Sequence, residues 1–144
     1  MTDYNLFLDD KRNPSDVLSY QPHTWNLYYE LDWVIVRNYE EFVSVIQSNE
    51  LPTRISFDHD LSLEHYAPRH LWDDYEAAKE WMESQNYKEK TGKDCADFLI
   101  NHIIDTYEEP FPLPKMYVHS QNPVGVDNIK SVFKTAMKVY SFMF

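Results

Sequence analysis

The sequence predicts an α/β fold, a three-layer sandwich around a mostly parallel sheet of four or five strands, and two observations predict it. Three short apolar runs each pass straight into a polar cluster: Leu6-Phe7-Leu8 into Asp9-Asp10-Lys11-Arg12, Ile55-Ser56-Phe57 into Asp58-His59-Asp60, and Met116-Tyr117-Val118 into His119-Ser120-Gln121-Asn122-Pro123. Such runs are what strands covered on both faces look like. Between and after them lie stretches with apolar residues at helical spacing, so strands alternate with helices. In open α/β sheets ligands bind outside the carboxyl ends of the strands. Polar clusters at neighbouring parallel strand ends therefore share one rim.

Taken in order, the first strand covers Tyr4 to Leu8. Residues Asn13 to Leu31 hold two prolines and several aromatics without a helical stripe, which predicts a loop with a short helical turn. Trp33 to Val36 is the second strand. Asn38 is suited to cap a helix with Glu40 and Glu41 in its first turn, where the positive end of the macrodipole favours them. Phe42, Val45 and Ile46 then form a stripe ending near Ser48, and the Asp58 strand follows Pro52.

Residues 62–90 are a long insertion by the standard of ~2–6 residue βα loops. Within it Trp72, Tyr75, Ala78 and Met82 fall at helical spacing, which predicts a surface helix from Trp72 to Gln85, placed as a lid or as decoration. Thr91-Gly92-Lys93-Asp94 opens a periodic helix with Phe98, Leu99, Ile103 and Tyr107 on its apolar face, stopped by Pro110, Pro112 and Pro114. A strand from Lys115 to His119 comes next. Asn122-Pro123 then starts a helix with the stripe Ile129, Val132, Phe133, Ala136, Met137 and Tyr140. The tail Ser141 to Phe144 is read as a fifth, edge strand.

A length of 144 residues suits one domain spanning 1–144, and no linker or repeat divides it. The formal charge is −11, from 13 basic and 24 acidic residues, which argues against a long nucleic-acid duplex as partner, because backbone tracking needs a basic face. A nucleotide or a strand terminus stays open, and so does simple solubility. The single cysteine, Cys95, excludes an internal disulfide and a cysteine-rich zinc site. The start Met1-Thr2-Asp3-Tyr4-Asn5 lacks the pattern of a secretion signal, and no apolar run reaches the ~20 residues of a membrane span. The expectation is a soluble cytoplasmic protein that does not enter a membrane, with its oligomeric state open.

Four groups of residues carry chemistry. Asp9, Asp10, Asp58 and Asp60 are carboxylates converging at strand ends, which repel one another unless a hard cation lies between them; Mg²⁺, or Mn²⁺ in its place, is the natural occupant. The alternative is loop acids capping nearby amides. Asp58 is thereby also a candidate in the catalytic centre. His59 and His119 flank these acids and are candidates for proton transfer, against the commoner use of histidine as a hydrogen-bonded structural residue. Arg12, four residues past the first strand, suits bidentate phosphate contact, and Lys93 lies at a helix start on the same rim. Ser120, Asn122 and Gly125, followed by Asn128, place a hydroxyl, an amide and a glycine where a strand feeds a helix N-terminus, an arrangement that offers N–H groups to an anion.

Taken together, the stretches from Leu6 to Pro14, Ser56 to Leu61, Thr91 to Asp94, and Val118 to Gly125 with Asn128 resemble the cyclic-phosphate-processing receiver domains. The resemblance implies a receiver-like, flavodoxin-like sheet and a role on cyclic phosphates of nucleotides or RNA ends. Set against ordinary response-regulator receivers, Asp9 and Asp10 match the acidic pair for Mg²⁺, Asp58 the phospho-accepting aspartate and Ser120 the hydroxyl switch. The lysine that ends their fifth strand has no counterpart in Ser141 to Phe144, and His59 and His119 are additional. Three functions stay open: a metal-assisted phosphodiesterase, a protein that binds and sequesters a cyclic nucleotide or an RNA end, and a degenerate receiver used for protein contact.

Overall fold

A computed structural model of the chain describes residues 3–58, 76, 77, 80 and 91–143. Its centre is a parallel sheet of β1 (Asn5–Leu8), β2 (Val34–Val36), β3 (Arg54–Phe57) and β4 (Lys115–Val118) in the order β2-β1-β3-β4. The register sets Leu6 opposite Val34 and Ile55, and Ile55 opposite Met116. This is the receiver-like, flavodoxin-like order. Its switch point lies between β1 and β3, where one connection leaves to each side.

Alternation along the strands separates two clusters of buried side chains. Leu6, Leu8, Ile55 and Phe57 point to one face, where α2 (Tyr39–Ser48), α3 (Gly92–Thr106) and α4 (Pro123–Val139) supply Phe42, Ile46, Leu99, Ile103, Ile129 and Phe133. Each helix starts where the sequence suggests. Asn38 accepts from the Glu41 amide, Thr91 from that of Asp94, and Asn122 from that of Gly125 behind Pro123. Phe7 points to the other face, into a smaller cluster with Val17 and Tyr28. That layer is built from the segment read as a loop: 3₁₀ turns at Pro14–Ser19 and Pro22–Thr24, then the single helical turn α1 (Trp25–Tyr28). Rings hold it down, with Tyr28 and Trp33 both edge-on to Phe7.

The tail departs from its expected role. Phe142 pairs with Phe111 in one isolated parallel bridge, and the described sheet has four strands. Phe142 is buried in the core with its ring against Phe111, so ring packing rather than a ladder fixes this end. Of the insertion, Glu76, Ala77 and Glu80 are helical, and the rest of the expected helix from Trp72 to Gln85 lies outside the described residues. Among the described residues no helix is long and apolar enough to cross a membrane.

Candidate active site at the strand ends

The residues that follow β1, β3 and β4 are pinned by the sheet itself. Each ladder carries one bond past its strand: the Asp9 amide donates to Val36, Asp58 to Leu8 and His119 to Phe57, at 3.1, 2.9 and 3.0 Å. By alternation Asp9, Asp58 and His119 share the face of Phe7 and Ser56. All three are buried, and one potential ligand atom from each lies within 4.8 Å of the others. Above them opens a cleft of about 420 Å³ lined by Asp9, Asp10, Lys11, Arg12, Asp58 and the Ser120 to Asn122 turn.

Asp9 is held by three elements. Its Oδ1 accepts from the amides of Lys11 and Arg12 at 2.9 and 2.8 Å, and its Oδ2 lies 3.1 Å from His119 Nε2. Burial works to raise this carboxyl, but the bonds from His119 and from the two amides together outweigh it and hold the group below the usual carboxylate range. Burial lowers the His119 imidazole more than Asp9 raises it, so the ring is neutral. These two states orient a chain of hydrogen bonds. An ionised Asp9 only accepts, so Nε2–H donates to it and Nδ1 accepts from the Ser56 hydroxyl at 2.6 Å. The Ser56 oxygen in turn takes the Tyr28 hydroxyl at 2.7 Å. Burial pushes that phenol up to about 12, so it stays a donor. The imidazole also stacks on Phe7, centroids 4.3 Å apart, and the Tyr20 hydroxyl donates to the His119 carbonyl at 2.6 Å.

The cationic rim is built by Arg12, which sits over the Tyr20 ring, lies 3.9 Å from Asp9 Oδ2 and donates to Gln121 Oε1 at 3.0 Å. It therefore links the loop after β1 to the turn after β4. Arg37 braces the same loop from β2, donating to the carbonyls of Asp9 and Arg12 and to Asn13 Oδ1.

Of the residues singled out in the sequence, Asp9, Asp10, Asp58, Arg12, Ser120 and Asn122 line the cleft. His119 lies behind it with its ring fully buried and both nitrogens engaged, so the ring is placed to hold Asp9 rather than to meet a ligand. Lys93 is elsewhere: it pairs with Asp97 one turn along α3, at 3.3 Å, in a groove against α4. The Gly125 amide is used by the Asn122 cap, Asn122 donates its own amide to Ser120 Oγ, and Asn128 is not among the cleft residues. The helix start thus spends these N–H groups on its own capping. His59 and Asp60 lie outside the described residues.

The sequence reading missed Ser56, Tyr28, Tyr20 and Arg37. Alternation alone puts Ser56 on the face of Asp58, and Arg37 ends β2 as Asp9 ends β1, so both had a signal. The tyrosines had none, because an irregular segment has no period from which to read a facing side.

No curated protein and no solved structure matches the chain. The family model described as the cyclic-phosphate processing receiver domain matches residues 4–135, nearly the whole length, and the geometry at the ends of β1, β3 and β4 is that of a receiver-like sheet with an acidic rim; the chain belongs to that family.

Proposed function

We propose that the chain is a metal-assisted phosphodiesterase that opens a cyclic phosphate on a nucleotide or an RNA terminus. The observation that carries this reading is the meeting of Asp9 and Asp58, with His119 behind them, at the floor of a cleft whose rim holds Arg12. Two buried carboxylates this close, one kept ionised by its donors, fit a hard divalent cation such as Mg²⁺ or Mn²⁺. Asp9 and Asp58 would hold the ion and Asp10 would lie at its side. Bound there, the ion would neutralise charge on the phosphoryl oxygens.

The chain's own residues then divide the work. Arg12 binds the phosphate, Ser120 and Asn122 bound the pocket beside it, and His119 fixes Asp9 as a positioning residue. In the reaction a water oxygen bonds to phosphorus and one ring P–O ester bond breaks. The water's proton leaves to a base, and the departing sugar oxygen takes up a proton, giving a phosphomonoester and a free hydroxyl. His59, next to Asp58 in sequence, is the candidate for that proton transfer.

The test is incubation with 2′,3′-cyclic nucleotides and with an RNA oligomer ending in a cyclic phosphate, in Mg²⁺, in Mn²⁺ and in EDTA, followed by ³¹P NMR. Monoester should form with metal, and not in EDTA or with the Asp9→Asn, Asp58→Asn double variant. Turnover equal to that of the folded double variant overturns the proposal. Calorimetric binding of a ligand recovered intact would establish sequestration in its place.

A further inference from the structure

The side of β4 away from β3 lies apart from the cleft. β4 ends the described sheet. The amides of Lys115 and His119 donate towards β3, to Thr53 and Phe57. Backbone groups alternate in direction along a strand, so those of Met116 and Val118 face the open side. Such an edge is a template for another strand. Just ahead of β4, the tail already pairs backbone to backbone, Phe111 donating to Ser141 and accepting from Met143.

Beside this edge a groove of about 540 Å³ lies between β4 and α4, floored by Met116, Phe133, Met137 and Met143. It gathers three of the chain's five methionines, and Met137 and Met143 are 41% and 51% exposed. Methionine suits a surface that must fit an incoming side chain, because it is unbranched and polarisable. The remaining lining includes Lys115, Lys130 and Lys134 and no acidic residue. All three lysines are exposed, and none has a side-chain ion pair or hydrogen bond among the described residues. In a chain of charge −11 this gathers positive charge around an apolar slot with no acidic residue among its described lining.

We propose that this edge and groove dock an extended, acidic and apolar segment of a partner protein. The segment would add beside Met116 and Val118 as a further strand, set apolar side chains of its helix-ward face into the methionine groove and bring carboxylates flanking them on that same face to Lys130 and Lys134. A second copy of the chain fits poorly, since a two-fold contact sets lysines against lysines between bodies that each carry −11. An anionic membrane fits poorly too, being flat where the groove is concave and repelled by the net charge.

The probe is a blocked heptapeptide with glutamate at both ends, valine at the third and fifth positions and threonine between them, so that glutamates and valines share one strand face; it is titrated into the full chain and followed by NMR of the methionine methyls and backbone amides. Expected are saturable shifts at Met116, Met137 and Met143 and hydrogen-exchange protection of the Met116 and Val118 amides. Affinity should fall at least ~10-fold in a Lys130→Glu, Lys134→Glu variant and stay unchanged in Lys138→Glu, which lies on α4 outside the groove; rim charges at an interface act in this way. Equal binding of a peptide with lysine in place of glutamate overturns the charge argument. Equal binding of a peptide N-methylated on its pairing edge overturns strand addition. The same resonances responding instead to anionic vesicles, or to protein concentration alone, would assign the groove to a membrane or to self-association and overturn the proposal.

Discussion

On one face of the sheet Leu6, Leu8, Ile55 and Phe57 meet three long helices through almost entirely apolar side chains, whereas on the other Phe7 lies among Ser56, His119 and Tyr28, whose polar atoms run in a line to Asp9. The first face needs only volume and periodicity. The second must also satisfy every buried donor and acceptor, because each one left unpaired costs about 1–3 kcal/mol. The strands hold both at once because successive side chains alternate. Stability is thus concentrated on the helical face, and the orientation of the site on the irregular one.

The largest expected effect tests the helical face. Phe42 is fully buried on α2 against Phe57, so Phe42→Ala should cost about 3–5 kcal/mol in urea unfolding. Turnover or ligand binding per folded molecule should stay as in the parent chain. A loss of specific activity with the fold intact would mean that the two faces are not separable.

His119→Phe probes the other face. The new ring can keep the stack on Phe7 while Asp9 loses a donor and Ser56 an acceptor, so the cost should be about 1–3 kcal/mol. Cyclic-phosphate turnover, or Mn²⁺ affinity by calorimetry, should fall about 10- to 100-fold, as for loss of a group that orients a metal ligand. An unchanged affinity would remove His119 from the site.

The same variant exposes the pH dependence. Burial holds the folded His119 ring below its ordinary value, so the unfolded chain takes up a proton first. From about pH 6.5 downwards stability is therefore lost, by at most about 1.4 kcal/mol per pH unit for one histidine. Asp9, also held low, adds a loss of the same sign that begins only near the ordinary carboxylate value, about 3.9. The gap in unfolding free energy between the parent chain and His119→Phe should shrink between about pH 7 and pH 5. A constant gap would show the ring titrating alike in both states, and burial would then not be holding it low.

These contrasts also explain what was legible in the sequence. The helical face repeats at 3.6 residues, so the stripes of α2, α3 and α4 and their caps at Asn38, Thr91 and Asn122 could be placed almost to the residue. The acids at the ends of β1 and β3 were legible for the same reason, since a strand end is where an apolar run stops. What escaped depends on contacts between distant, aperiodic stretches. Tyr28 reaches Ser56 and Tyr20 reaches His119 only after the segment 13–31 folds over Phe7. Lys93 was misplaced because a helix start on the right rim does not fix where a flexible side chain points, and Asp97 lay one turn away.

The smallest effect belongs to the far end of the hydrogen-bonded line. Tyr28→Phe keeps the ring against Phe7 and Trp33 and removes only the hydroxyl that donates to Ser56. Ser56 can still donate to His119, so the line keeps its direction and loses one bond, worth about 0.5–1.5 kcal/mol. Ser56→Ala removes the hydroxyl that both neighbours use, leaving His119 Nδ1 without a donor, and should cost more than Tyr28→Phe and weaken Mn²⁺ binding where Tyr28→Phe does not. The double variant should cost less than the two single costs added, because Tyr28 has no bond to lose once Ser56 is alanine. Additive costs in this cycle would show that the hydroxyls act separately, and the irregular face would then stabilise the fold without orienting the site.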